Sequence, residues 1–153
     1  TNLGRRRCFR EFHLSKISSM TSKVTYQNPL RTTAVHLASN NSIITDAPLD
    51  NHGKGEAFSP TDLVATALAS CLLTIMGIKS KDLGVDLSGT SAQVKKVMAS
   101  QPRRISEIHI DVEFTLRTDT KTQRILERAA LTCPVAQSLH TDLVQNIQFH
   151  WPV

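Results

Sequence analysis

Cysteine is scarce in this chain: three residues in 153, an odd number. That excludes a disulfide-stapled scaffold and fits a reducing compartment. Metal-binding spacings are missing as well. His36, His52, His109, His140 and His150 form no HxxxH or CxxH pair, and no CxxC occurs, so a zinc site is not expected. There is no GxSxG elbow. Gly53-Lys54-Gly55 lacks the full phosphate-loop pattern and the strand-to-helix setting it needs. Internal repeats, low-complexity tracts and interdomain linkers are absent too. The charge-free run at 63–78 is 16 residues long and is diluted by Thr66, Ser70 and Thr74. That falls short of the roughly 18–20 apolar residues of a membrane span.

Acidic residues are nearly absent from the first 19 positions. Arg5, Arg6, Arg7, Arg10 and Lys16 stand there against Glu11 alone, a net charge of +4 out of the chain's +5. The rest is nearly neutral, so the basic balance gives no warrant for nucleic-acid binding. The chain opens with Thr1, and Met20 precedes strand-like sequence. Residues 1–19 therefore read as a tag or upstream artefact, or as a targeting or disordered arm. Cys8 goes with them as a bystander. One domain is expected over 20–153. At 40% hydrophobic and 20% charged, the chain has enough apolar residues for a sizeable core.

What is present is an order of elements. Asn28-Pro29 marks a turn, and 31–38 alternates as a strand. Asn40-Asn41 suits a hairpin turn, with a return strand over 42–45. A loop fills 46–58. Ser59, Pro60 and Asp62 then open a long helix, in an S-x-x-D capping pattern with proline at the first helical position. Apolar on every side to Ile78, this helix is expected to be buried at the centre of the domain. Strands return at 91–98 and, after Gln101-Pro102, at 107–116. In the latter Ile108, Ile110, Val112, Phe114 and Leu116 alternate with polar residues. Thr118 or Asp119 caps a second helix. Pro134 opens a short third one, and Ile147, Phe149 and Trp151 share one face of a final strand. Strands clustered between helices predict an α+β fold with an antiparallel sheet. The basic pairs Lys95-Lys96 and Arg103-Arg104 read as a solvated sheet edge.

Two thiols carry the chemistry. Cys133 sits just before Pro134, at a helix N-terminus. Backbone N–H groups and the helix dipole there favour thiolate, so on local grounds its pKa should fall. Cys71 lies mid-helix among Ala67, Leu68, Leu72 and Ile75, and reads locally as a core thiol. A catalytic Cys71 needs an outside cation, such as an arginine.

The stretch from Phe58 to Cys71, FSPTDLVATALASC, and the downstream Cys133-Pro134-Val135-Ala136-Gln137-Ser138-Leu139 resemble the OsmC/Ohr superfamily of osmotically inducible and organic hydroperoxide resistance proteins. The resemblance covers about residues 23–153. It implies an intertwined homodimer with two long central helices flanked by antiparallel sheets, and sites at the subunit interface. It implies Cys71 as the peroxidatic cysteine, Cys133 as the resolving one, and Arg31 as the guanidinium beside the peroxidatic sulfur. It further implies an organic hydroperoxide substrate, with hydrogen peroxide a poorer one, and no bound cofactor. An external dithiol, of lipoyl-protein or thioredoxin type, is implied as reductant, and the setting is cytoplasmic stress defence. One departure stands out. Family peroxidases commonly carry a glutamate after the helix-opening proline to orient the arginine, and this chain has Thr61 there. Asp62 and Glu56 are the candidate substitutes. The rival readings are a binding protein for a small apolar ligand, with incidental thiols, and an interaction protein in stress physiology.

Overall fold

The structure, a computed structural model, describes residues 20–153. These group into two compact units, one through Pro60 and the other spanning Thr61–Val153. The expectations for residues 1–19 and Cys8 lie outside the described residues.

The first unit is a three-stranded antiparallel sheet in the order β1 (Ser22–Gln27), β2 (Arg31–His36), β3 (Ser42–Asp46). The turn at Asn28-Pro29 joins β1 to β2, and Asn40 takes the positive φ that asparagine tolerates in the β2–β3 hairpin. After β3 the chain makes one 3-10 turn, Leu49–Asn51. The loop then folds back on its own start. Gly53 does this by packing against Ala47, and Gly55 by turning with a φ of +64°. A Cβ on Gly53 would lie 1.7 Å from the Ala47 carbonyl oxygen. The Gly55 N–H donates to that same oxygen at 3.2 Å. The glycines of the Gly-Lys-Gly segment thus serve close backbone approach.

The second unit holds α1 (Pro60–Leu83 in extent, its last residues beyond Pro60 belonging here), β4 (Ser91–Ser100), β5 (Arg103–Glu113), α2 (Thr120–Leu131), α3 (Pro134–Ser138) and β6 (Val144–His150). Its sheet runs β4-β5-β6. Leu68, Leu72, Met76, Ile108, Ile110, Val112 and Leu126 form the fully buried centre. The expected alternation is present, with Ile108, Ile110 and Val112 of β5 and Phe114 just beyond its end all buried, but the strand runs over 103–113 rather than 107–116. Asp119 caps α2, accepting from the N–H groups of Lys121 and Thr122 at 2.9 and 3.1 Å. Trp151 stacks on Phe114 and donates its ring N–H to Glu127 on α2 at 2.8 Å, fastening the chain end.

Two expectations need correcting. The second sheet is mixed: β4 and β5 are antiparallel, but β6 runs parallel to β5, pairing Glu107 with Val144 through Glu113 with His150. Alternation is the same in either direction. The strand–helix–helix–strand order between β5 and β6 is the crossover that a parallel pair requires. The second correction concerns α1. Its inward face is Ala65, Leu68, Ala69, Leu72 and Met76, but Val64 is 38% and Ile78 59% exposed. The helix is apolar all round yet covered on one side only. By length and composition it is apolar enough to cross a membrane. At 24 residues it runs past the charge-free stretch into Lys79, Lys81 and Asp82.

Candidate active site

Cys71 and Cys133 both belong to the second unit. Cys71 stands half-buried on α1, packed against the hydrophobic core. Cys133 is fully buried at the N-cap of α3, where its extended backbone ends the turn after α2. Both are free thiols. The Cys133 sulfur accepts the Ala136 N–H at 3.3 Å. Its pKa is nevertheless raised. Burial is the largest cause, the Ala136 N–H opposes it, and the neighbouring Cys71 thiol adds to it through a side-chain hydrogen bond and its charge. The expectation of a depressed pKa at Cys133 is therefore wrong. A five-residue helix and two N–H donors do not outweigh removal of the sulfur from water. The thiols are neighbours although 62 positions apart in sequence. Both belong to one hydrophobic core, Cys133 within it and Cys71 packed against it.

Arg31 belongs to the first unit, at the first position of β2. Its Nη2 donates to Asp46 Oδ2 at 3.2 Å and to Glu56 Oε2 at 2.7 Å. Arg31 and Asp46 are direct partners across the β2–β3 ladder, so the sheet register itself sets this pair. Glu56 arrives by the folded loop, whose Glu56 N–H donates to Asp46 Oδ2 at 3.0 Å. The Asp46 side chain is 1% exposed and that of Glu56 58%. The guanidinium pKa is raised, first by the Glu56 bond and then by the Asp46 bond. The Asp46 carboxyl is held below its usual range. The Glu56 N–H is the largest cause, burial opposes it, and Arg31 reinforces it.

Of the two candidate substitutes for the missing glutamate, Glu56 is thus the one on Arg31. Asp62 is engaged elsewhere. Lys96 Nζ donates to Asp62 Oδ1 at 2.6 Å and to Thr61 Oγ1 at 2.7 Å. Lys96 is therefore no solvated edge residue, its side chain being only 16% exposed. The signal was present in β4: Ala92, Val94 and Lys96 fall on one face, opposite Val112, Ile110 and Ile108 of β5. A lysine in step with apolar residues points toward the core side and needs a partner. Asp46 had no comparable signal, because its importance depends on which residue stands across the ladder. Among the described residues no cluster of histidine, cysteine and carboxylate side chains could hold a metal ion.

A family model described as OsmC-like protein matches residues 53–147. The chain belongs to the OsmC family. A Psychrobacter arcticus protein, provisionally described as an osmotic stress induced and detoxification response protein, is similar over 86% of this chain and 96% of its own, with 62% identity and a TM-score of 0.83. Two more distant structures share the fold alone. One is the OsmC organic hydroperoxide resistance protein of Legionella pneumophila, with 12% identity, a TM-score of 0.68 and coverage of 86% and 98%. The other is the OsmC-like protein of Mycoplasma pneumoniae, with 16% identity, a TM-score of 0.72 and coverage of 86% and 96%. No curated protein sequence matches the chain. Both thiols fall within the segment matching the OsmC family model, whereas Arg31 and Asp46 precede it.

Proposed function

We propose that this OsmC-family chain is a thiol-dependent peroxidase for organic hydroperoxides, in oxidative or osmotic stress defence. The observation that carries the reading is the pair of neighbouring free thiols, one half-exposed and one buried. In the proposed cycle the Cys71 thiolate attacks the terminal peroxide oxygen. The O–O bond breaks, the leaving alkoxide takes a proton and departs as alcohol, and Cys71 becomes a sulfenic acid. The Cys133 sulfur then displaces hydroxide from it. The Cys133 proton goes with that hydroxide as water, and a disulfide remains. An external dithiol, of lipoyl-protein or thioredoxin type, reduces the disulfide and is itself oxidised. Hydrogen peroxide is the poorer substrate, since apolar residues surround Cys71. The raised pKa of Cys133 suits the second role: it stays protonated and unreactive until a sulfenic acid forms beside it. Arg31 is assigned to hold the Cys71 thiolate electrostatically. The proposed setting is cytoplasmic, and the proposed assembly is a homodimer.

The test is turnover of cumene hydroperoxide with dithiothreitol. Wild type is expected to lose both described thiols on oxidation. Cys71→Ser should abolish peroxide consumption. Cys133→Ser should still oxidise once and accumulate sulfenic acid. Loss of the first oxidation in Cys133→Ser, with Cys71→Ser active, would reverse the roles.

A second reading, binding of a small apolar ligand, is favoured by one observation. A cavity of about 230 Å³ in the first unit is lined by Tyr26, Leu30, Pro48 and Pro60, with Thr32, Thr45 and Asp46 as polar members of its wall. A ligand-binding protein would keep its affinity in Cys71→Ser.

A further inference from the structure

Three features of the arginine cluster are not used by the redox cycle. Both carboxylates meet Arg31 at one nitrogen, Nη2. One of them, Asp46, is buried and set by strand register, while the other is exposed and set by a loop. Asp46 Oδ1 is also buried and accepts no hydrogen bond. A buried carboxylate oxygen without a donor is costly, and most such groups find a partner.

We propose that Asp46 is a positioning residue for Arg31: it is the fixed seat of the guanidinium, and Glu56 is the releasable arm. The proposal rests on the peroxidase reading for its consequence, and its structural content can be read without peroxide. Asp46 stands across the ladder from Arg31 and is itself buried, so its carboxylate stays in place while the ladder holds. Glu56 reaches Arg31 from an exposed loop, where local opening is easier. Asp46 also fixes the arm, because its Oδ2 accepts the Glu56 N–H. Removing Asp46 charge therefore weakens both contacts, whereas removing Glu56 weakens one. The unpartnered Oδ1 gives the seat a second acceptor. With Glu56 released, Arg31 can take a two-pronged grip on Asp46, the strong geometry for this pair. A guanidinium anchored in this way keeps its place.

The experiment compares wild type, Asp46→Asn and Glu56→Gln, with thermal melts to verify that each variant is folded. Asparagine keeps the shape of Asp46 and still accepts the Glu56 N–H. In the reduced protein without peroxide, the guanidinium NMR signals of Arg31 should stay resolved and slowly rotating in wild type and Glu56→Gln. In Asp46→Asn they should average toward those of free arginine. Single-turnover oxidation of Cys71 by cumene hydroperoxide across pH should fall by about tenfold or more in Asp46→Asn, the scale of a lost hydrogen bond between charged groups, and by less in Glu56→Gln. Unchanged Arg31 signals in Asp46→Asn, or a larger loss in Glu56→Gln, would overturn the assignment. If the signals behave as expected but wild type oxidises no peroxide, the seat stands and the peroxidase reading falls.

Discussion

His150 shows how a single side chain couples strand pairing to pH. It lies on β6, and its ring bonds Asp111 on the parallel partner β5 at 2.9 Å. That bond is the main cause of its raised pKa, and the charge of Glu113 adds to it while burial opposes it. The folded state thus binds this proton more tightly than the unfolded chain. The stabilisation is full below the ordinary imidazole range and is lost as pH climbs through the raised value. Thermal melts of wild type and Asp111→Asn are expected to differ most at mildly acidic pH and to converge as pH rises. A gap that widens with pH would show that the imidazolium does not make the bond. At the same scale, the sequence neighbours of Cys133 do not set its chemistry. Proline after cysteine correctly marks a helix start, but the pKa follows burial, which the local sequence does not record.

At the scale of the element, one face of α1 carries much of the second unit's core. Its start was legible because serine, proline and an acidic residue punctuate it. Its inward face was not, because residues 63–78 are apolar on all sides and give no contrast to read. Leu72 shows which side counts, being fully buried. Leu72→Ala is expected to cost about 2–5 kcal/mol, measured by denaturant titration, as truncation leaves a cavity in the core. The strands divide in the same way. The inward face of β5 was evident from alternation, whereas the parallel pairing with β6 depends on a partner chosen by the crossover.

For the whole molecule the informative surface is the outward stripe of α1. Val64, Ala67, Cys71, Thr74 and Ile78 recur at spacings of three and four, and both Val64 and Ile78 are exposed in the single chain. Strand β1 is exposed throughout, with Val24 at 61% and Tyr26 at 63%. Apolar surface of this kind marks a contact region. With a homodimer as the proposed assembly, sedimentation is expected to give twice the chain mass. Ile78→Lys should shift the protein toward monomer with little cost to the fold of each chain. A wild-type monomer at all concentrations would remove this proposal.

The sequence by itself determined where the helices begin, which β5 residues face inward, and the family, because capping residues, alternation and the two cysteine-bearing motifs are local patterns. Only the tertiary structure decided that Cys71 and Cys133 are neighbours, that burial raises the Cys133 pKa, and that Lys96 takes Asp62 while Asp46 and Glu56 take Arg31. Those outcomes depend on strand register and helix packing across long sequence separations, and on how much water is excluded at each atom.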